Sequence, residues 1–168
     1  MAASDIRGGE KRDTAMRDIQ LSLPMQLLRA REAAMARFRP MLRRHGLTEQ
    51  QWRVIRVLAA GGHLDATELA RRSFLLAPSL TRILQFLEAN NLIRRDADNR
   101  DQRRSVLALT PAGWRLFEEV APDSERLYAK IENEFGLDKL TELYDLLADF
   151  TAVIGPESKP SDQELARQ

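Results

Sequence analysis

APSLTRILQFLEANNLIRRDADNRDQRRSVLALT, residues 77–110, is the stretch whose reading decides the fold. Pro78 suits the first position of a helix, where a missing N–H costs nothing. Leu80, Ile83, Leu84 and Leu87 then recur at three- and four-residue steps, which sets one apolar face against a core. The opposite face carries Thr81, Arg82 and Gln85, with Ser79 at its edge. From the major groove an arginine can read guanine, and a glutamine adenine, each through two hydrogen bonds. Any solvated helix face can carry such residues, so the helix alone leaves DNA recognition and a plain polar surface both open.

The segment after this helix narrows the choice. Leu92–Arg95 and Val106–Leu109 are short strand candidates, and DADNRDQRR, residues 96–104, joins them with turn formers. Arg100, Arg103 and Arg104 project from such a hairpin, with Arg94 at its base. They are placed to meet phosphates or a narrow minor groove. Asp101 can orient a neighbouring arginine through a charge-assisted hydrogen bond. Upstream, Asp65 can cap a short helix with Glu68 as its capping-box partner, and Thr67 stands in that helix's first turn. The helix ends near Ser73. Two short helices joined by a tight turn and followed by a hairpin make a winged helix-turn-helix. Its DNA-contacting candidates are Thr67, Ser79, Thr81, Arg82, Gln85, Arg94, Arg100, Arg103 and Arg104.

These segments resemble the MarR family of bacterial transcription regulators. The matching pieces are PSLTRIL, LEANNLI and DQRRSVLALTPAG. The family's wing pattern is an Asp, one residue, an Arg, five residues and Leu-Thr; Asp101, Arg103, Leu109 and Thr110 fit it, with Gly113 at the expected spacing. The resemblance runs from about Leu23 to Ile154. LLRAREAAMARFRPMLRRHGLTEQQWRVIRVL, residues 27–58, is similar to the subgroup that controls breakdown of aromatic acids of the homoprotocatechuate and nicotinate type. The resemblance implies a homodimer on a double-stranded, pseudo-palindromic operator and an aromatic acid effector. It supports a repressor released by that effector.

Length and composition agree with one domain. Of 168 residues, 43% are hydrophobic, and 26 Lys+Arg against 25 Asp+Glu leave a net charge of only +1. Distribution says more than the total. Arginines crowd the segment from Arg29 to Arg56 and again from Arg94 to Arg104, whereas Glu118 to Asp149 is rich in acid. Such asymmetry gives a nearly neutral molecule a local basic surface. Cysteine is absent, which removes disulfides and thiolate metal or redox sites. With histidine only at His45 and His63, no Gly-rich phosphate loop and no clustered metal ligands, catalysis has no machinery and no cofactor is expected. No signal peptide or bilayer-length apolar run is visible, so the expected compartment is the cytoplasm, with no membrane contact.

The expected organisation is a flexible segment 1–22, a single domain 23–155 and a flexible tail 156–168. Within the domain, a DNA-binding lobe spans about 48–109. Helices at about 23–45 and 111–154 carry more apolar residues than a small wing domain can cover, and form a dimerisation lobe. Thr48 and Thr110 are the expected helix caps, with Gln51 in a capping box and Gly46 a helix stop. The fold class is therefore mainly α with a small β wing.

One cation is out of pattern. Leu28, Arg31, Met35, Phe38 and Leu42 share a helix face, so Arg31 interrupts an apolar stripe. A guanidinium there needs an anion, either an internal carboxylate or that of a ligand. Trp52 can supply a flat wall, with Arg53 and Arg56 nearby and Phe74 on the far side; Arg39 and His45 are further candidates. Trp52 reads equally well as a core residue. A small aromatic carboxylate, such as a hydroxyphenylacetate or a hydroxynicotinate, suits this chemistry. Two other readings stay open: a winged-helix module that binds protein, and an activator without a small ligand.

Overall fold

The computed structural model describes residues 18–97 and 105–155. A short 3₁₀ turn, Ile19–Leu21, leads into α1 (Leu23–Arg44). Then come α2 (Glu49–Gly61), α3 (Ala66–Ser73), α4 (Ala77–Ala89), β1 (Ile93–Ala97), β2 (Ser105–Leu109), α5 (Pro111–Phe135) and α6 (Leu137–Ile154). This is the expected mainly helical winged helix-turn-helix. The stretches 1–17 and 156–168, read as flexible, and the wing residues Arg100, Asp101, Arg103 and Arg104 lie outside the described residues. Residues 18–22 hold the 3₁₀ turn, where the Asp18 carboxylate accepts from the Gln20 N–H at 2.8 Å.

Side-chain chemistry sets the helix ends. Thr48 accepts from Gln51 N, and the Gln51 side chain accepts from Thr48 N, closing the expected capping box. Gly46 follows α1 at φ +69°, where a Cβ would be strained. Asp65 caps α3 through Glu68 N, and the Glu68 carboxylate turns to Arg71 and Arg72. α4 opens one residue earlier than expected, with Leu76 as N-cap and Pro78 second in the helix. α5 runs through Pro122 as one helix, and α1 likewise contains Pro40.

The core gathers around α2, whose Val54, Ile55 and Leu58 are fully buried. Leu69 of α3, Leu80, Leu84 and Leu87 of α4, and Val120 of α5 close on it. The strands pair antiparallel with Ile93 opposite Leu109 and Ala97 opposite Ser105. Leu64 exchanges backbone hydrogen bonds with Leu107 at 3.1 and 2.7 Å, which ties the segment after α2 to the wing. At the wing's other end, Thr110 N donates to Leu92 O at 3.1 Å, and its hydroxyl donates to Asn91 O at 2.6 Å. The wing is thus sewn to both the helix before it and the helix after it.

Candidate functional site

The apolar pattern of α4 decides what it offers outward. Leu80, Leu84 and Leu87 are buried, so Ser79, Thr81, Arg82 and Gln85 are exposed on the opposite side. The Thr81 hydroxyl also bonds back to Ala77 O at 2.9 Å, which fixes its rotamer while its lone pairs stay available. Thr67 is exposed on α3. Arg94 is exposed on β1 and pairs with Asp96 at 3.0 Å, and His63 Nε2 approaches the same carboxylate at 3.6 Å. Thr67, Ser79, Thr81, Arg82, Gln85 and Arg94 therefore all have solvent-facing side chains.

A second feature is a half-open cavity of about 660 Å³ lined by α1, α2, α5 and α6, within the range typical of small-molecule sites. Arg31, Met35 and Phe38 of α1, with Trp52 and Arg53 of α2, line it. Arg31 does not wait for an anion: it donates to Glu49 at 2.5 Å and to Glu32 at 2.7 Å. Burial pushes the Glu49 carboxyl up, but the guanidiniums of Arg31 and Arg39 outweigh it and hold Glu49 below its usual range. Arg31 is thus charge-matched within the chain.

Arg56 is not. It lines the cavity, donates to the Tyr128 hydroxyl at 3.1 Å and lies 5.8 Å from the centre of that ring. Arg53 donates to the Ser73 carbonyl at 3.1 Å. Among the described residues, no carboxylate forms an ion pair with Arg53 or Arg56. Trp52 is 5% exposed, packs against Phe117, and its buried Nε1–H has no hydrogen-bond partner among the described residues. Such an orphan donor calls for an explanation. Trp52 is therefore both core residue and cavity wall.

Three expected cavity residues stand elsewhere. Arg39 bridges Glu32 and Glu49 behind the cavity wall, because the carboxylates that serve Arg31 also reach it. His45 follows the last turn of α1, and its two ring nitrogens meet Glu119 at 3.2 Å and Asp123 at 3.1 Å on α5. The His45 contact, with Arg126 and Arg44 beside it, holds the Asp123 carboxyl below its usual range. Phe74 is 85% exposed in the turn after α3. Sequence reading also missed contributors. Tyr128, Leu140 and Tyr144 line the cavity from α5 and α6, helices read only as dimer elements. Phe38 packs on Tyr128 with ring centres 4.9 Å apart. Arg56 carried a legible signal, one helical turn from Trp52 on the same face.

Comparison with known proteins bears on both features. A family profile described as MarR family matches residues 45–104. The homoprotocatechuate degradative operon repressor of Escherichia coli is 42% identical over 145 residues, covering 85% of this chain and 98% of that protein. The chain belongs to the MarR family. A second relative, the HTH-type transcriptional regulator FarR of Neisseria gonorrhoeae, is 43% identical over 132 residues, covering 79% of this MarR-family chain and 90% of that protein. Among solved structures, NadR in complex with 4-hydroxyphenylacetate superposes with a TM-score of 0.72 at 41% identity, covering 79% of this chain and 96% of NadR. The first two relatives are named as transcription regulators.

Proposed function

We propose that the chain is a dimeric, sequence-specific repressor, released from a pseudo-palindromic operator by a small aromatic carboxylate. The observation that carries the effector assignment is the donor set in the cavity wall. Among the described residues Arg56 forms no ion pair with a carboxylate, and the Tyr128 hydroxyl lies 3.1 Å from it. A ligand carboxylate can pair with Arg56 and accept from the Tyr128 hydroxyl, which the structure brings together, while Met35, Phe38, Val57 and Leu140 supply apolar contact for a ring. The carboxylate role anticipated for Arg31 therefore passes to Arg56, with Arg31 and Glu49 as a polar counterpart elsewhere in the wall. NadR, with its bound 4-hydroxyphenylacetate, and the E. coli repressor of homoprotocatechuate degradation support a phenylacetate-type effector and an aromatic-acid degradation operon as target.

On the DNA side, Ser79, Thr81, Arg82 and Gln85 take base edges in the major groove. Thr67, Arg94, Arg100, Arg103 and Arg104 take phosphates or the minor groove. In this reading the DNA lobe is 48–109, and helices 23–45 and 111–154 dimerise. The exposed apolar residues of the terminal helices support that division: Leu28, Leu137, Leu146, Val153 and Ile154 are each at least 49% exposed in the single chain. Twofold pairing would present two α4 helices to half-sites one helical turn apart. No helix among the described residues is long and apolar enough to cross a membrane, and we assign the protein to the cytoplasm.

The test is calorimetric titration of wild type, Arg56→Met and Tyr128→Phe with 4-hydroxyphenylacetate and 3,4-dihydroxyphenylacetate. Arg56 is exposed to solvent, so its charge-assisted contact sits at the low end of the usual range. About 1.5 kcal/mol, or roughly tenfold in Kd, is expected for Arg56→Met. Wild-type affinity in that variant would remove the site.

A further inference from the structure

The turn between α3 and α4 holds two side chains that neither the cavity nor the core uses. Phe74, directly after α3, adopts φ 51°, ψ 47°. Glycine takes that left-handed conformation freely, whereas a bulky residue is strained there. Turns between the helices of this motif often carry glycine for that reason. Leu75 tucks against the core. Its neighbours are left outside: Phe74 is 85% exposed and Leu76 is 79% exposed. Strain combined with a solvent-facing aromatic returns nothing to the described fold, and such an outlier points to a task outside it.

The surroundings identify the occupant. Leu76 is the N-cap of α4 and offers no side-chain acceptor, so the positive end of that helix is left open beside it. Arg71 and Arg72 close α3 with a single Glu68 between them, which leaves positive charge in excess. Ser79 and Arg82 continue the exposed surface along α4. An apolar pair in a positive field, continuous with a helix face of Thr, Arg and Gln, matches a DNA major groove. There thymine alone displays a methyl group. We propose that Phe74 and Leu76 read thymine C5-methyl groups at a fixed place in each half-site. The inference rests on the DNA-binding reading above.

The experiment uses the full chain and a duplex that wild-type protein enriches from a random-sequence pool. Copies of that duplex carry deoxyuridine in place of one thymine at a time, which deletes only the methyl group. In gel shifts, wild type should lose about fourfold in affinity at one thymine per half-site, the worth of a single buried methyl. Phe74→Ala and Leu76→Ala should bind more weakly and be indifferent to that replacement. Phe74→Asn separates folding from recognition: asparagine tolerates the left-handed backbone, so this variant should melt no lower than wild type yet share the loss of discrimination. Enrichment of a sequence by wild type together with a flat deoxyuridine scan, or variants that discriminate as wild type does, would overturn the thymine contact alone. If wild type enriches no duplex, the DNA-binding reading falls and the thymine contact falls with it.

Discussion

Gly113 is where a single added carbon should do most damage. It stands in the first turn of α5, under the wing, and a Cβ there would lie 2.0 Å from the Leu92 carbonyl oxygen and 3.2 Å from Leu109 Cδ2. Contacts under 3.0 Å are essentially never seen, so one backbone must retreat by at least about 1 Å. Neither is free to do so. Leu92 O accepts from Thr110 N at 3.1 Å, and Gly113 N donates to Thr110 Oγ1 at 3.0 Å. Overpacking of a tight site costs about 1–3 kcal/mol, and weakening either bond adds up to roughly 1 kcal/mol. A total near 3 kcal/mol lowers Tm by about 6–12 °C in a chain of this size. Gly46→Ala is the matched control. It meets no atom within 4 Å but has φ +69°, so it bears only the left-handed backbone cost of about 1–2 kcal/mol. Melting followed by circular dichroism distinguishes the two. A Gly113→Ala protein that melts no lower than Gly46→Ala would refute the close junction of wing and α5.

The same geometry sets three further outcomes. Arg82→Ala should relax base preference at one position per half-site, at a cost of about 1–3 kcal/mol if the contact is bidentate; an unchanged footprint and selected sequence would clear Arg82 of base reading. Hydrogen bonds from Arg71 and Arg72 pull the Glu68 carboxyl from 4.5 down to about 2. A carboxyl depressed in the folded state adds stability that is complete above its unfolded value and lost as pH falls toward the folded one. Glu68→Gln should therefore flatten the acid loss of stability across that window, read as urea midpoints, and an unaltered pH profile would count against the Arg71–Glu68–Arg72 cluster. Arg53→Met should keep most of its affinity for 4-hydroxyphenylacetate while operator binding becomes less responsive to it; release equal to wild type in a gel-shift titration would exclude Arg53 as the link.

How far the sequence could be read depended on the range of the forces involved. Caps and turns are local: Thr48 with Gln51, Thr110 with Gly113, and the stop at Gly46 all act within four residues, and all were legible. The exposed face of α4 was legible for the same reason, since helical period alone separates Leu80, Leu84 and Leu87 from Arg82 and Gln85. The cavity was only half legible. Arg31 announced itself by breaking an apolar stripe, but its partner Glu49 is eighteen residues away on another helix, and no periodicity reports that pairing. Tyr128 stands seventy-two residues from Arg56 and reads locally as one more apolar marker on a long helix. The role of His45 was hidden because an exposed chain end and a clasp to α5 look identical until the two helices are packed together.

Release of DNA by a ligand requires a part that both sites share, and α2 contains one. Arg53 lines the cavity, and its guanidinium donates to the carbonyl of Ser73, the last residue of α3. Ser73 is fully buried, with its hydroxyl bonded to Leu69 O at 2.5 Å, and the next residue is Phe74. A carboxylate that drew Arg53 toward itself would strip a donor from a carbonyl with little access to water, at about 1–3 kcal/mol. Tenfold in DNA affinity needs only about 1.4 kcal/mol, so this one bond is of sufficient size. A ligand that contacts Arg56 alone, leaving the α3 end as it was, has equal affinity for both positions of the turn and can bind tightly without releasing DNA. Affinity and efficacy should then vary independently across a series of aromatic acids, with efficacy following the reach of the carboxylate toward Arg53.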